Sequence, residues 1–260
     1  MLLQGKTVIV SGVGAGLGHR VAGTVVRDGG NAVLGARTGA NLVKTAGEID
    51  PAGTRTAHRP TDITDESQCE ALATLAVERF GRIDAVVHVA AWDGYFGGIE
   101  DADFSTWQRI VDVNLLGTLR MTRACLPALK ERGGSVVVIG TQSAVAAPSQ
   151  VRQAAYAASK GALISAMYSL ARELGPHRIR VNTVLPGWMW GPPVQAYVRF
   201  TADTEGVTES EVLSRLTERM ALPELATDGD VAEAVTFLAS DRARSITGQS
   251  LLVNAGELMR

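Results

Sequence analysis

The sequence predicts an α/β fold: a doubly wound, mostly parallel sheet in a single domain spanning residues 1–260. Three observations carry that reading. Short β-branched runs alternate with longer helical patterns along the whole chain. Several strand segments are apolar throughout rather than at alternate residues, as strands covered on both faces must be. No composition shift, internal repeat or low-complexity stretch breaks the alternation, so nothing marks a second domain. Right-handed crossovers between parallel strands then give the doubly wound topology.

The first strand is Thr7-Val8-Ile9-Val10. A glycine-rich turn leads into a helix over about Leu17–Asp28, stopped by Gly29-Gly30. Asn31–Ala36 is the second strand, and Arg55–Thr61 a third, weakened by Pro60. Thr64 is a good N-cap for a helix from about Asp65 to Phe80. Ile83–Val89 is the fourth strand, followed by a helix from about Ser105 to Lys130. Val136–Ile139 is the fifth, a helix spans about Ala154–Leu174, Arg180–Leu185 is the sixth strand and Leu251–Val253 the last. The alternation is interrupted between Gly187 and about Leu222. There Pro192-Pro193 and apolar residues without clean period precede a helix near Glu209–Met220. An insertion just beyond a strand end is where such a sheet places a substrate lid, so 187–222 is expected to be one.

Composition narrows the function classes. A chain of 260 residues, 46% hydrophobic and 20% charged, buries a core without a disulfide or metal staple. Lys plus Arg number 25 against 27 Asp plus Glu, a net charge of −2, which gives no electrostatic reason to expect nucleic acid or an anionic membrane as partner. Cys69 and Cys125 fall in helical stretches without a Cys or His close by, so two buried thiols are expected and no metal site. Met1–Val10 runs straight into a strand without the apolar region of a secretory leader, and no apolar run reaches membrane-spanning length. The expected location is the cytoplasm.

Ser11-Gly12-Val13-Gly14-Ala15-Gly16-Leu17-Gly18 lies between the first strand and the first helix. Glycines there permit a tight turn, close approach of the backbone to a pyrophosphate, and close helix packing. The free N–H groups at the helix start then bind the anion. Farther along, Tyr156 and Lys160 share one face of a predicted helix, four residues apart, with Ser143 thirteen residues before Tyr156. Together these features resemble the short-chain dehydrogenase/reductase family. The turn is similar to that family's TGxxxGxG, with Ser11 in place of Thr. Asp62, Asn114 in Val113-Asn114-Leu115, Pro186-Gly187 and Thr247-Gly248-Gln249 match further motifs in order.

The resemblance implies a Rossmann-type fold and hydride transfer between a nicotinamide cofactor and a carbonyl or alcohol. It implies a catalytic set of Asn114, Ser143, Tyr156 and Lys160. The cofactor-binding set it implies is Gly12, Gly14, Gly16, Leu17, Gly18, Asp62, Ile63, Ala90, Tyr156, Lys160, Pro186 and Gly187. Asp62 would hold the adenine amino group, Lys160 the nicotinamide ribose, and Asn114 a water chain relaying protons to Lys160. Ordinary tyrosine is a poor base near neutrality, and a nearby ammonium lowers its pKa, so Lys160 can tune Tyr156. Ser143 would hydrogen-bond the substrate oxygen. Thr141 also follows the fifth strand and is the alternative to Ser143.

The segment ending the second strand, Gly35-Ala36-Arg37-Thr38-Gly39-Ala40-Asn41, carries no acid. A carboxylate there would hold a ribose hydroxyl pair, whereas Arg37 could pair with a 2′-phosphate. The expected cofactor is therefore NADP, with NAD as the alternative and a non-catalytic nucleotide-binding sensor as a second. Two segments depart from the family. Its Asn-Asn-Ala-Gly is His88-Val89-Ala90-Ala91 here, where His88 reads as a satisfied structural histidine. Its Thr that bonds the carboxamide is Gly191, so a backbone group or another residue must orient that amide. Trp92, Tyr95, Trp188 and Trp190 fall just past strand ends; they either wall an apolar pocket or pack the lid onto the body. Dispersed Arg199, Arg215 and Arg219 favour an apolar small-molecule substrate over a phosphorylated or carrier-bound one. Apolar or small residues on more than one face of the 105–130 and 154–174 helices (Ala157, Ala158, Ala162, Ala166 and Met167 among them), read with the resemblance, imply that these two helices pair with their symmetry mates in four-helix bundles joining a homodimer or homotetramer.

Overall fold

Seven strands form one parallel sheet: β1 (Thr7–Ser11), β2 (Asn31–Ala36), β3 (Thr56–Pro60), β4 (Ala85–His88), β5 (Gly134–Ile139), β6 (Ile179–Pro186) and, last in the chain, Ser250–Val253. The computed structural model describes residues 1–94, 97–147 and 151–260. The strand order is β3-β2-β1-β4-β5-β6 and then Ser250–Val253. Register is regular, with Ile9 beside both Val33 and Val86. The direction of winding reverses between β1 and β4, so a crevice opens at their C-terminal ends, where such sheets take ligands.

Alternate residues of each strand feed opposite faces, which is why the runs are apolar throughout. Val8, Val10, Leu34 and Val137 pack on Val21 and Val25 of α1 (Leu17–Arg27) and on Val231 and Val235 of a helix over Asp228–Ala239. Ile9, Val33, Val86 and Val136 pack on the other side. They meet Leu72 of α3 (Glu66–Phe80), Met121 and Leu129 of α5 (Thr118–Arg132), and Leu163 and Met167 of α6 (Ala154–Leu174). Cys69 and Cys125 are free and buried.

Several elements differ from the sequence expectation. A helix α2 (Gly39–Ile49) fills the stretch after β2. The N-cap of α3 is Asp65, which accepts from the N–H groups of Ser67 and Gln68; the Thr64 hydroxyl instead donates to Asp62 Oδ1 at 2.8 Å. The long helix after β4 starts as α4 (Phe104–Val111), capped by Asp103, passes through a π-helical segment at Asp112–Gly117 and continues as α5. Pro60 is tolerated because β3 is the sheet edge.

Residues 187–222 hold more order than their irregular pattern predicts. A short strand β7 (Met189–Trp190) leads to α7 (Pro192–Glu205), where the two prolines occupy the first helical positions, and then to α8 (Glu209–Thr217). Val198, Ala202, Val212, Leu216 and Leu225 form a cluster of their own. β7 pairs with β8 (Ala226–Thr227), which leads into α9 (Asp228–Ala239); β9 (Ser250–Val253) completes the main sheet.

Candidate functional site

The glycine turn is built by backbone contact. Gly12 has φ of +100°, and a β-carbon there would stand 2.1 Å from the Ala90 nitrogen. A β-carbon on Gly18 would stand 2.3 Å from the Gly12 carbonyl oxygen. Neither position accepts a side chain. Gly14 meets nothing within 4 Å and faces open space. Gly16 is the N-cap of α1, whose first N–H groups have no intrahelical acceptor. Leu17 presents only its backbone, because its side chain is buried in the core beneath. The arrangement fits a pyrophosphate: an open glycine and free donors at the start of α1.

Gly12, Gly14, Arg37, Asp62, Ile63 and Ala90 line one cavity of about 400 Å³, together with Thr38, Asn41, Ala91, Trp92, Arg109 and Asp112. Asp62 accepts from the Thr64 N–H at 3.0 Å and the Thr64 hydroxyl at 2.8 Å. Burial pushes its pKa up, but these bonds and the nearby Arg37 charge outweigh it and hold the carboxyl below its usual range. Arg37 is exposed at the rim. The Arg109 guanidinium lies 4.5 Å from the centre of the Trp92 ring.

Gly16, Leu17, Gly18, Asn114, Ser143, Tyr156, Lys160, Pro186 and Gly187 do not line that cavity. Gly16, Leu17 and Gly18 carry the turn on into α1, whereas Ser143, Pro186, Gly187 and the Tyr156–Lys160 pair of α6 lie around the C-terminal ends of β5 and β6, with Asn114 joined to α6 through Ser159. Asn114 is fully buried in the π segment. Its Oδ1 accepts from the Trp92 N–H at 2.7 Å, and its Nδ2 donates to the Trp92 carbonyl and to Ser159 Oγ, both at 3.0 Å. The side chain therefore fastens the strand-end loop to α6. The extra residue of a π turn is what re-aims it, a device frequent at functional sites.

Lys160 is 1% exposed, and its ammonium donates to the Ile139 carbonyl at 2.7 Å. It stands 5.8 Å from the centre of the Tyr156 ring. Burial lowers the Lys160 pKa to about 8, against an upward pull from Asp93. Tyr156 moves the other way from the sequence expectation. Burial first, and the Asp93 carboxylate second, raise its pKa well above the ordinary phenol. Asp93 had no signal in the sequence; its place beside this pair comes from the Trp92 clamp.

Ser143 sits in a short 3-10 turn whose cap is Thr141, the Thr141 hydroxyl accepting from the Ser143 N–H at 3.2 Å. That commits Thr141 to the backbone. The Ser143 hydroxyl makes no hydrogen bond among the described residues. Gln142 beside it is gripped by the C-terminal segment, accepting from Asn254 Nδ2 at 2.6 Å and donating to Glu257 at 2.9 Å. Gly187 packs against both, since a β-carbon there would stand 2.8 Å from that of Asn254 and 3.1 Å from Gln142 Oε1.

His88 is satisfied on one side only. Its Nε2 lies 2.9 Å from the Thr122 hydroxyl, while Nδ1 is buried with no partner among the described residues. Burial, aided by the Lys160 charge, lowers its pKa to about 3 and keeps the ring neutral. Trp188 and Trp190 pack on the apolar cluster of α7 and α8, Trp188 at 5.0 Å from the Tyr197 ring, and Trp92 lies under Arg109. Tyr95 lies outside the described residues.

Comparison with known proteins agrees with this architecture. The chain matches the family model described as enoyl-(acyl carrier protein) reductase over residues 12–257. It is 34% identical over 262 residues to L-rhamnose 1-dehydrogenase (NAD(P)(+)) of Azotobacter vinelandii, covering 98% of each chain. Carveol dehydrogenase from Mycobacterium avium, solved in complex with NAD, superposes with a TM-score of 0.91 at 28% identity, over 100% of this chain and 99% of that one. A variant of actinorhodin polyketide ketoreductase with NADPH gives 0.87 at 29% identity, over 97% of each. No helix among the described residues is long and apolar enough to cross a membrane. With the sheet order and these matches along nearly its whole length, the chain belongs to the short-chain dehydrogenase/reductase family, enzymes that act on CH–OH and C=O groups.

Proposed function

We propose that this protein interconverts a ketone and a secondary alcohol on an apolar small molecule, with NADP(H) as cofactor and Tyr156 as the acid/base residue. The observation that carries it is the burial of Lys160 beside Tyr156 without an acid in direct contact. A buried ammonium held by one carbonyl is costly, and such groups cluster where chemistry needs them. A nucleotide sensor has no use for one. The nicotinamide ring supplies or accepts the hydride when bound. Tyr156 gives its proton to the carbonyl oxygen in reduction and takes it back in oxidation. Ser143 donates to the same oxygen and stabilises charge as it develops. Lys160 holds the ribose and its charge favours the tyrosinate, and Asn114 keeps the strand-end loop and α6 in register for the proton relay.

For the cofactor, Gly12, Gly14, Gly16, Leu17 and Gly18 would cradle the pyrophosphate, and Pro186 and Gly187 would lie along the nicotinamide. Asp62, Ile63 and Ala90 would surround the adenine. Arg37 at the rim, with Thr38 and Asn41 beside it and no acid ending β2, supports NADP over NAD. Residues 187–222 would close over the substrate. Arg215 is paired with Glu205 and Arg219 with Glu257, which supports an apolar substrate rather than a phosphorylated one. Exposed Phe104, Leu116 and Tyr168 on α4, the π segment and α6 support a homodimer or homotetramer built on those helices. The test is cofactor turnover with a panel of ketones and secondary alcohols. A higher kcat/KM with NADPH than with NADH is expected. Preference for NADH would overturn the cofactor reading, and turnover of none of the panel would favour the sensor. Sedimentation at micromolar concentration should show a dimer or tetramer; a monomer alone would sink that assembly.

A further inference from the structure

Asp228 opens α9 but does not hold it. The helix is capped reciprocally by Thr227 and Asp230. Asp228 is 9% exposed, and its Oδ1 is buried with no hydrogen-bond partner among the described residues. The carboxylate lies between two backbone turns of the cleft. A β-carbon on Gly191 would stand 2.5 Å from Oδ1, and one on Gly16 would stand 3.4 Å from Oδ2. Asp228 therefore fills the space that a side chain at position 191 would take, and it does so beside the N-terminus of α1. Arg20 of α1 is the cation whose charge reaches it, but no ion pair joins them, and burial prevails, raising the carboxyl above its ordinary range.

An unpaired buried oxygen acceptor is unfavourable until something donates to it. The cleft's occupant, on the reading above, is a nicotinamide dinucleotide. Its donors are few. The adenine amino group belongs at Asp62, at the far end of the cavity. The nicotinamide ribose hydroxyls belong at Tyr156 and Lys160. The adenosine ribose hydroxyls belong beside Arg37, at the same end as the adenine, which leaves the carboxamide amino group, on the ring beyond the pyrophosphate. We propose that Asp228 Oδ1 accepts a hydrogen bond from the carboxamide amino group of the bound cofactor and so sets which face of the ring is turned toward Tyr156. The proposal rests on the cofactor reading above, and Gly191 is then a glycine because the carboxylate needs its side-chain space.

Direct binding measurements on the intact protein separate the two. Three probes serve: the preferred nicotinamide cofactor, its 3-acetylpyridine analogue, in which a methyl group replaces the amino group, and the ring-free ADP-ribose or its 2′-phosphate. Wild-type protein should bind the analogue about tenfold more weakly than the cofactor, the range of a charge-assisted hydrogen bond. Asp228→Ala should weaken the cofactor by about the same factor, bind cofactor and analogue alike, and leave the ring-free probe within about twofold. Asp228→Asn keeps one acceptor oxygen and should retain part of the discrimination. Equal binding of cofactor and analogue by the wild type, which needs no variant to fold, would overturn the proposal. So would unchanged discrimination in Asp228→Ala, or tighter binding of the ring-free probe by both variants, the sign of plain repulsion of the pyrophosphate. Failure of the wild type to bind any of the three would instead overturn the cofactor reading.

Discussion

The two ends of the cleft are built on opposite principles. At the end proposed for the adenosine, the polar groups beneath the Arg37 rim are committed: Asp62 to Thr64 and Gln68, the Gly12 N–H to the Gly35 carbonyl, the Ala90 N–H to that of Ser11. At the reacting end, groups are left short. Asp228 Oδ1 and His88 Nδ1 are buried without partners among the described residues, and Lys160 has a single carbonyl among them. The first end is a finished surface to which a ligand is added. The second lowers the stability of the ligand-free fold, and a ligand that supplies the missing partners restores it.

The most damaging break in that contrast should be Tyr156→Phe. It removes one hydroxyl from the unfinished end and leaves the ring to pack, so turnover should fall by about 10²–10⁴ while cofactor affinity holds. Steady-state kinetics beside a binding isotherm check this. Thr141→Ala should cost less turnover than Ser143→Ala in the same assay, since its hydroxyl caps a turn.

Lys160 gives the next largest effect, on stability rather than rate. Its folded-state pKa is depressed from 10.5 to about 8 by burial. Between those values the unfolded chain binds more protons, so stability should rise with pH across about pH 8–10.5, and below that window the full penalty stands. Lys160→Met should abolish turnover, yet flatten this rise and stabilise the ligand-free protein at pH 7 by up to about 2–3 kcal/mol. Thermal melts from pH 7 to 10.5 measure it; a slope that survives the substitution refutes it.

Arg37→Ala tests the finished end. NADP should bind about tenfold more weakly and NAD nearly as before, by titration calorimetry. Equal loss for both would place Arg37 outside the phosphate site. The smallest effect is expected at Gly14, which faces open space. Gly14→Ala should change stability by no more than about 0.5 kcal/mol in a denaturant melt. A larger cost would mean the turn is strained where it looks free.

What was legible in the sequence follows the same division. The strands could be read because each apolar run must serve two faces, and Tyr156, Lys160 and the glycines because their spacing is local. α2 was missed: it has no side-chain cap and buries only Leu42, Thr45 and Ala46. α9 carried a readable cap in Thr227 and Asp230, but it followed an irregular stretch that masked the return of helical period. Asp228 and Asp93 gave no signal at all. Their place is set by loops that meet only in the folded chain, Asp228 beside a glycine more than two hundred residues away. The burial that raises the Tyr156 phenol above its ordinary range had no local signal either, because it is made by elements that meet only in the fold.

The segment over 187–222 carries its own apolar cluster, with Val198 and Ala202 of α7 against Val212 and Leu216 of α8. Its ties to the body lie near its margins, among them Gly187 against Asn254 and Gln142, Met189 on the main core, the β7–β8 pair, two N–H groups on the Ala255 carbonyl, and Arg219 on Glu257. A piece held together internally and fastened at its margins behaves as a cassette. It can tilt without melting, and it can be exchanged for the corresponding piece of a relative while the sheet beneath keeps its register, so changes in what the enzyme accepts need not reach the machinery that reacts.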